Sequence, residues 1–327
     1  MARALAVLLA ACLAACAPRL QPPGEPLKAP RLADQALVAA DGAKLGLRMW
    51  LPQGRPKAAV VALHGFNDYS NAFDKPAKFW AGRGIATYAY DQRGFGNSPH
   101  RGLWPGVKVM TDDLKAASRL VAARHPGIPL YLVGESMGGA VVMVALTGED
   151  PPEAEGAILV APAVWGRDHM GLLQRTALWL FAHTVPWMRV SGRGLGINPS
   201  DNTEMLRRLG RDPLVIKKTR VDTIHGLVNL MDAAFAAAPR LNGRTLILYG
   251  DRDEVIPGAA TNKMVRRLPQ PENSRHRLGV YPRGFHMLLR DLQAETVLAD
   301  IVAWMDDASA PLPSGAEERA REWLAKN

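Results

Sequence analysis

Cysteine is nearly absent from this chain: its 327 residues contain two, Cys12 and Cys16, both near the N-terminus. The rest of the chain can therefore form neither a disulfide nor a cysteine-based metal site. A run long enough to cross a bilayer is missing too. The apolar stretch from Ala4 to Ala17 follows Arg3 and falls short of the roughly 20 residues that a spanning helix needs, so it reads as a signal segment. No phosphate-binding glycine loop and no histidine cluster occurs, so no metal and no organic cofactor is implied. The formal charge is +9, from 40 Lys and Arg against 31 Asp and Glu. The basic residues are scattered and not interleaved with aromatics, which argues against nucleic acid as a partner. The surface should instead attract anions, anionic membranes included. The densest basic stretch, Arg207, Arg208, Arg211, Lys217, Lys218 and Arg220, reads as a solvated face.

Against these absences stands a hydrophobic content of 48%, enough for a large core in one domain with an insertion, or in two small ones. Leu13-Ala14-Ala15-Cys16 resembles a bacterial lipobox, in which the cysteine is lipidated and becomes the mature N-terminus; Leu9-Ala10-Ala11-Cys12 fits less well. Residues 1–16 are then a lipoprotein-type signal, and the expected location is the bacterial cell envelope, lipid-anchored in the outer membrane and facing the periplasm. Pro18, Pro22, Pro23, Pro26 and Pro30 make residues 17–33 a stiff linker that would hold a domain off a membrane.

Beyond residue 34 short apolar runs alternate with helical patterns. Ala58 to Leu63, Ile85 to Tyr90, Leu130 to Val133, Ala157 to Val160 and Thr245 to Tyr249 are continuous runs of the kind covered on both faces, and Lys44 to Leu51 alternates like a half-exposed antiparallel strand. Pro76 to Gly82, Thr111 to Arg124, Met137 to Leu146 and Ala260 to Leu268 are candidate helices. The pattern predicts an α/β fold, a mostly parallel sheet with helices on both faces and functional loops at the C-terminal strand ends. Core parts are expected over 34–162 and 240–308. Between them, 163–239 breaks the alternation and reads as an inserted helical cap, with Leu178, Trp179, Phe181 and Trp187 as candidates for a substrate wall. Residues 309–327 read as a charged tail ending in a solvent-exposed helix.

The chemistry centres on Gly134-Glu135-Ser136-Met137-Gly138-Gly139, between an apolar strand and a helix. A strand that turns abruptly into a helix exposes the central serine oxygen, and glycines on either side permit the close backbone approach. The same turn aims the Met137 amide at a developing oxyanion. A serine nucleophile needs a histidine to take its proton and a carboxylate to orient that histidine, expected in the order serine, acid, histidine. His276 would be committed to a sheet face at the start of Leu278-Gly279-Val280-Tyr281, whereas His286 follows that strand on a loop and is the better base. For the acid, three carboxylates, Asp251, Asp253 and Glu254, follow the run ending at Tyr249. Asp251 could simply pin the turn, and spacing favours Asp253 modestly.

These segments, with His64-Gly65-Phe66, Asp91 to Ser98 and Tyr281 to His286, together resemble the monoacylglycerol lipase and lysophospholipase branch of the α/β-hydrolases, from Asp34 to about Asp306. The resemblance implies the α/β-hydrolase fold, Asp253 as the acid, His286 as the base, the Phe66 amide as second oxyanion donor, and hydrolysis of a lipid-like ester through an acyl-enzyme. The nearest rival is another hydrolase reaction on the same fold, such as short-chain ester, peptide or perhydrolase chemistry. A noncatalytic envelope binding protein is the remaining alternative. Glu135 departs from the pattern, since many relatives carry histidine there. A carboxylate facing the site would oppose the oxyanion, so Glu135 is expected to turn away into a hydrogen bond or ion pair. Oligomeric state is not written in the sequence.

Overall fold

The computed structural model describes residues 17–269 and 275–326. The strands are β1 Arg31–Ala33, β2 Ala36–Val38, β3 Lys44–Trp50, β4 Ala58–Leu63, β5 Ile85–Tyr90, β6 Leu130–Glu135, β7 Gly156–Val160, β8 Arg189–Val190, β9 Thr219–Arg220, β10 Thr245–Gly250 and β11 His276–Tyr281. The α-helices are α1 Asp74–Ala81, α2 Val107–Arg124, α3 Met137–Thr147, α4 Leu172–Thr184, α5 Thr203–Arg211, α6 Val221–Ala237, α7 Gly258–Arg266, α8 Ala294–Asp306 and α9 Ala316–Lys326.

Nine strands form one sheet in the order β1-β2-β3-β5-β4-β6-β7-β10-β11. The steps from β1 to β5 are antiparallel, and those from β5 to β11 are parallel. The parallel strands β4, β5, β6, β7 and β10 are buried along their whole length, which is why their sequences run apolar without alternation. Each face carries its own core. On one, α2, α3 and α6 bury Leu114, Val141 and Leu230; on the other, α1 and α8 bury Trp80 and Trp304. Burial of this kind, at about 25 cal/mol per Å² of apolar surface, is the main force holding the layers together.

Two terminal segments differ from the sequence reading. Residues 17–33 lie on the domain and do not form a free spacer. Leu20 bridges to Trp104, the Gln21 amide donates to the Trp104 carbonyl at 2.8 Å, and the Leu27 amide donates to the Ala40 carbonyl at 2.8 Å. Proline carries no N–H, so the segment has few amides to offer, and the domain accepts those of Arg19, Gly24 and Lys28 as well. At the other end α9 is amphipathic, not solvated on all sides. Ala316, Ala320 and Trp323 are buried against β11, with the Trp323 ring 5.2 Å from that of Tyr249.

Between β7 and β10 the chain forms α4, α5, α6 and the two-stranded ribbon β8–β9, over the C-terminal ends of the parallel strands. The ribbon had no counterpart in the sequence reading, because two-residue strands carry no period. Helix α6 belongs to core and cap together: Val228, Met231 and Ala234 are buried, and the ring of Trp104 sits against Gly226, where any added Cβ would come within 2.3 Å of it.

Candidate active site

Ser136 occupies the turn between β6 and α3 with φ 53° and ψ −115°, a conformation that costs a non-glycine residue free energy. The surroundings over-determine it. The Ser136 amide donates to the Val160 carbonyl at 2.8 Å, and its carbonyl accepts from the amides of Ala140 at 3.1 Å and Ala163 at 3.0 Å. A Cβ on Gly134 would lie 2.5 Å from the Gly138 backbone, and one on Gly138 would lie 2.2 Å from the Leu63 carbonyl oxygen. The two glycines therefore let β6, α3 and β4 meet beneath the serine, and Met137 opens α3 with an amide that has no acceptor within the helix.

The turn after β4 faces Ser136. A Cβ on Gly65 would be 3.4 Å from the Ser136 Cβ, so the backbone at Gly65 and Phe66 passes directly beside the nucleophile. His64, fully buried, sets this turn. Its Nε2 accepts the Gln92 amide at 2.9 Å, its Nδ1 donates to the Gly65 carbonyl at 2.8 Å, and the Gln92 side chain donates to the His64 carbonyl at 2.8 Å. Burial pushes the His64 pKa down, consistent with a neutral ring in that tautomer. Asp91, in the loop after β5, accepts the Ser70 amide at 2.9 Å and the Asn97 amide at 2.8 Å.

His286 and Asp253 meet at the ends of β11 and β10, where His286 Nδ1 donates to Asp253 Oδ2 at 2.8 Å. The second oxygen of Asp253 accepts the amides of Val255 at 2.8 Å and Ile256 at 2.9 Å, which fixes the carboxylate toward the ring. Asp251 is exposed and donates its amide to Tyr281, so between the two aspartates the structure brings Asp253 to the histidine. Burial works to lower the His286 pKa. The negative charge and hydrogen bond of Asp253, then the charge of Glu135, outweigh it, and the net shift is upward from 6.5.

Ser136 and His286 border one cavity of about 410 Å³, whose wall is largely apolar and includes Phe66, Met170, Leu178, Leu227 and Met231. Of the four cap side chains expected in a substrate wall, Leu178 lines it. Trp179, Phe181 and Trp187 do not; they are exposed on the outer side of the cap. The reason lies in the helical period. Helix α4 rests on α6 by the side carrying Ala182 and His183; Trp179, one turn before His183, stacks on that ring at 4.6 Å at the exposed edge of the contact, and Phe181 turns outward.

Arg290 is a residue the sequence reading missed. Buried, it donates from Nη1 to Asp68 Oδ2 at 2.7 Å and from Nη2 to Glu135 Oε2 at 3.0 Å. One guanidinium thus ties the turn after β4, the serine turn and the histidine loop. Glu135 is turned into the ion pair expected of it, yet it remains close enough to be felt by His286. Burial pushes its carboxyl pKa upward and Arg290 opposes that shift. The sole sequence signal was an arginine four residues beyond His286, in a stretch that is otherwise apolar. Nearby, Asp291 accepts Ser200 Oγ at 2.6 Å and the Phe285 amide at 2.8 Å, joining the histidine loop to the cap; burial raises its pKa to about 6. Among the described residues no group of three His, Cys, Asp or Glu side chains is arranged to hold a metal ion.

A parallel sheet of this order, a strained serine at a strand-to-helix turn, and a histidine and aspartate delivered by the last two strands define a serine-type α/β-hydrolase. Residues 54–293 match the family described as serine aminopeptidase, S33, and the chain belongs to that family. The monoacylglycerol lipase of Mycolicibacterium smegmatis is 24% identical over 275 residues, covering 84% of this chain and 96% of that protein. The monoglyceride lipase of Rattus norvegicus is 28% identical, covering 82% and 89%. In structure, a soluble variant of the Saccharomyces cerevisiae monoglyceride lipase superposes with a TM-score of 0.70 at 22% identity, over 86% of this chain and 97% of that one.

Proposed function

We propose that this protein is a carboxylic ester hydrolase acting on lipid monoesters, with monoacylglycerol lipase or lysophospholipase activity. The observation that carries the reading is the Asp253–His286 pair set with Ser136 at the base of an apolar cavity whose volume suits a small-molecule site. Ser136 Oγ attacks the ester carbonyl while its proton passes to His286 Nε2. The amides of Phe66 and Met137 stabilise the oxyanion. Collapse breaks the ester C–O bond, and the alcohol leaves with the proton from His286. Water, deprotonated by the same histidine, then releases the fatty acid and restores Ser136.

The family description and the lipase relatives point to different substrates, and the cavity supports the second. An aminopeptidase holds its substrate's ammonium group, for which a carboxylate is the natural acceptor. Asp68 and Glu135, the two acidic side chains on this wall, are both committed to Arg290. An acyl chain needs only the apolar wall, and each buried methylene contributes about 0.8 kcal/mol. The test is labelling of Ser136 by a fluorophosphonate, followed by a chain-length series of p-nitrophenyl esters alongside an aminoacyl amide. Preference for the longer esters supports the proposal; absence of labelling, or preference for the amide, refutes it.

Cys16 lies outside the described residues. On the lipobox resemblance, we infer a lipid anchor at Cys16 and a place in the bacterial envelope, at the outer membrane facing the periplasm. Incorporation of radioactive fatty acid that disappears in Cys16→Ala supports this inference, and an unlabelled wild-type protein removes it.

A further inference from the structure

Helix α5 stands between two loops that carry the chemistry, and it is held by its ends. Met205 is the one buried residue of its nine, so packing contributes little to its placement. Before its first turn the cap binds the histidine loop. The Met287 amide, next to His286, donates to the Pro199 carbonyl at 2.9 Å, and Ser200 Oγ donates to the buried Asp291 at 2.6 Å. The Leu292 amide donates to Asp201 Oδ1 at 2.8 Å, and Asn202 Nδ2 donates to the Arg290 carbonyl at 3.0 Å. After its last turn the cap binds the oxyanion turn. Asp212 Oδ2 accepts the Tyr69 hydroxyl at 2.7 Å, the Ile216 amide donates to the Asn67 carbonyl at 2.9 Å, and Asn67 Nδ2 donates to Thr219 Oγ1 at 2.8 Å.

The residues that end the helix also hold the loops. Asn202 caps it by accepting the Met205 amide with Oδ1 at 3.1 Å, while its Nδ2 grips the histidine loop. Asp212 accepts the Leu214 amide with Oδ1 at 2.8 Å, while its Oδ2 holds Tyr69. A helix of nine residues has a fixed length of about 13 Å, because each residue adds about 1.5 Å, so α5 transmits position from one end to the other. Position matters most at the second end. Asn67 directly follows the oxyanion donor Phe66 and holds φ 65°, a left-handed conformation that a residue with a side chain keeps where its surroundings enforce it. Ile216 and Thr219 supply that enforcement from the cap.

We propose that residues 199–219 form a positioning strut, in which α5 sets the distance between the histidine loop and the oxyanion turn, with Ser200 and Thr219 as positioning residues at its two ends. The role assumes the ester-hydrolase reading, in which His286 and the Phe66 amide act on one carbonyl. The experiment measures, in the full chain, kcat and KM on a soluble p-nitrophenyl ester and the rate at which a fluorophosphonate labels Ser136. Thr219→Val keeps the shape of the side chain and removes the hydroxyl that Asn67 binds. It should lower kcat and the labelling rate at least about tenfold and leave KM within about twofold, since a misplaced donor weakens the transition state and not the binding of substrate. Thr219→Ser keeps the hydroxyl and should restore both rates. Ser200→Ala should lower kcat in the same way. Because both ends serve one strut, T219V/S200A should cost far less than the product of the two single losses. An unaltered kcat in Thr219→Val, equal losses in Thr219→Val and Thr219→Ser, or a double variant whose loss equals that product overturns the strut. If Thr219→Val does not fold, Tyr69→Phe, which removes the bond to Asp212, carries the same test. A wild-type protein that resists the fluorophosphonate refutes the hydrolase reading and the strut with it. One that is labelled, at a rate unchanged by Thr219→Val and Ser200→Ala, refutes the strut alone.

Discussion

The floor of the cavity and its roof are held by different physics. On the floor, polar groups that burial would otherwise penalise are paired: His64 with Gln92 and Gly65, Asp253 with His286 and two amides, and Arg290 with two carboxylates. Each bond there is strong because water is excluded, and costly to break for the same reason. The roof leans on α6 through Ala182, His183 and the half-buried ion pair of Arg167 with Asp232, and leaves its largest side chains in solvent. Preorganised donors and a fixed base belong on the floor, where a displacement of an ångström is felt by the chemistry. A roof with few buried bonds is free to shape itself around an acyl chain.

Breaking the floor should produce the largest effects. Ser136→Ala or His286→Ala should reduce turnover by about 10⁶, and Asp253→Asn by about 10⁴, because the latter leaves the nucleophile in place but holds the wrong tautomer of His286. Steady-state kinetics on a p-nitrophenyl ester would check both. If Asp251→Asn proved the more damaging, the assignment of the acid would move to the exposed aspartate.

Arg290→Met attacks the same floor without touching a triad residue. It leaves Asp68 and Glu135 buried without their cation, a change that typically costs about 3–5 kcal/mol. The midpoint of urea unfolding should fall accordingly, and the rate of fluorophosphonate labelling should fall with it as the three turns lose their common tie. A variant with unaltered stability would show that the guanidinium is not what joins them.

Such differences also explain what could be read from the sequence. The turn at Ser136 was legible because strain demands glycine at fixed offsets, and the parallel strands were legible because burial on both faces writes a continuous apolar run. His286 followed from the end of β11. Asp253 separated from Asp251 once the amides of Val255 and Ile256 were seen to fix its carboxylate. Arg290 was not legible, because its partners Asp68 and Glu135 lie 222 and 155 residues away in the chain. In the cap, Trp179 and Phe181 showed hydrophobicity but not direction. Which side of α4 meets α6 is decided by packing on another helix, and apolar residues on both sides make the period ambiguous. The proline-rich segment misled in a similar way, since stiffness says nothing about whether a surface accepts the few amides it offers.

A subtler change separates the charge on the floor from its geometry. Glu135→Gln keeps an oxygen for Arg290 and removes the negative charge that helps to raise the His286 pKa. The histidine must be neutral to accept the serine proton, so the wild type should lose activity as pH falls through a value above 6.5. With the charge gone, His286 protonates at lower pH and the acid limb of kcat/KM should move down. The plateau should stay within about tenfold of wild type, because no donor to the oxyanion is lost. An unmoved limb would show that Arg290 cancels the charge of Glu135 at the histidine; a loss comparable to Ser136→Ala would place Glu135 among the groups that meet the substrate.

The smallest effect belongs to the roof, and it distinguishes the two sides of one helix. Leu178 faces the cavity and Trp179, its neighbour, faces solvent. Leu178→Ala removes part of the wall that an acyl chain would touch. The resulting loss of transition-state binding is about 1–2 kcal/mol for a long-chain ester, with little change for an acetate too short to reach it. Trp179→Ala should leave the ratio of long-chain to short-chain kcat/KM in solution unaltered. Measured on monomeric substrates below their aggregation threshold, the two variants read the direction of α4 directly. If Trp179→Ala shifted the ratio as far as Leu178→Ala, the roof would have to rotate on α6 as substrate enters, and its outer face would become part of the wall.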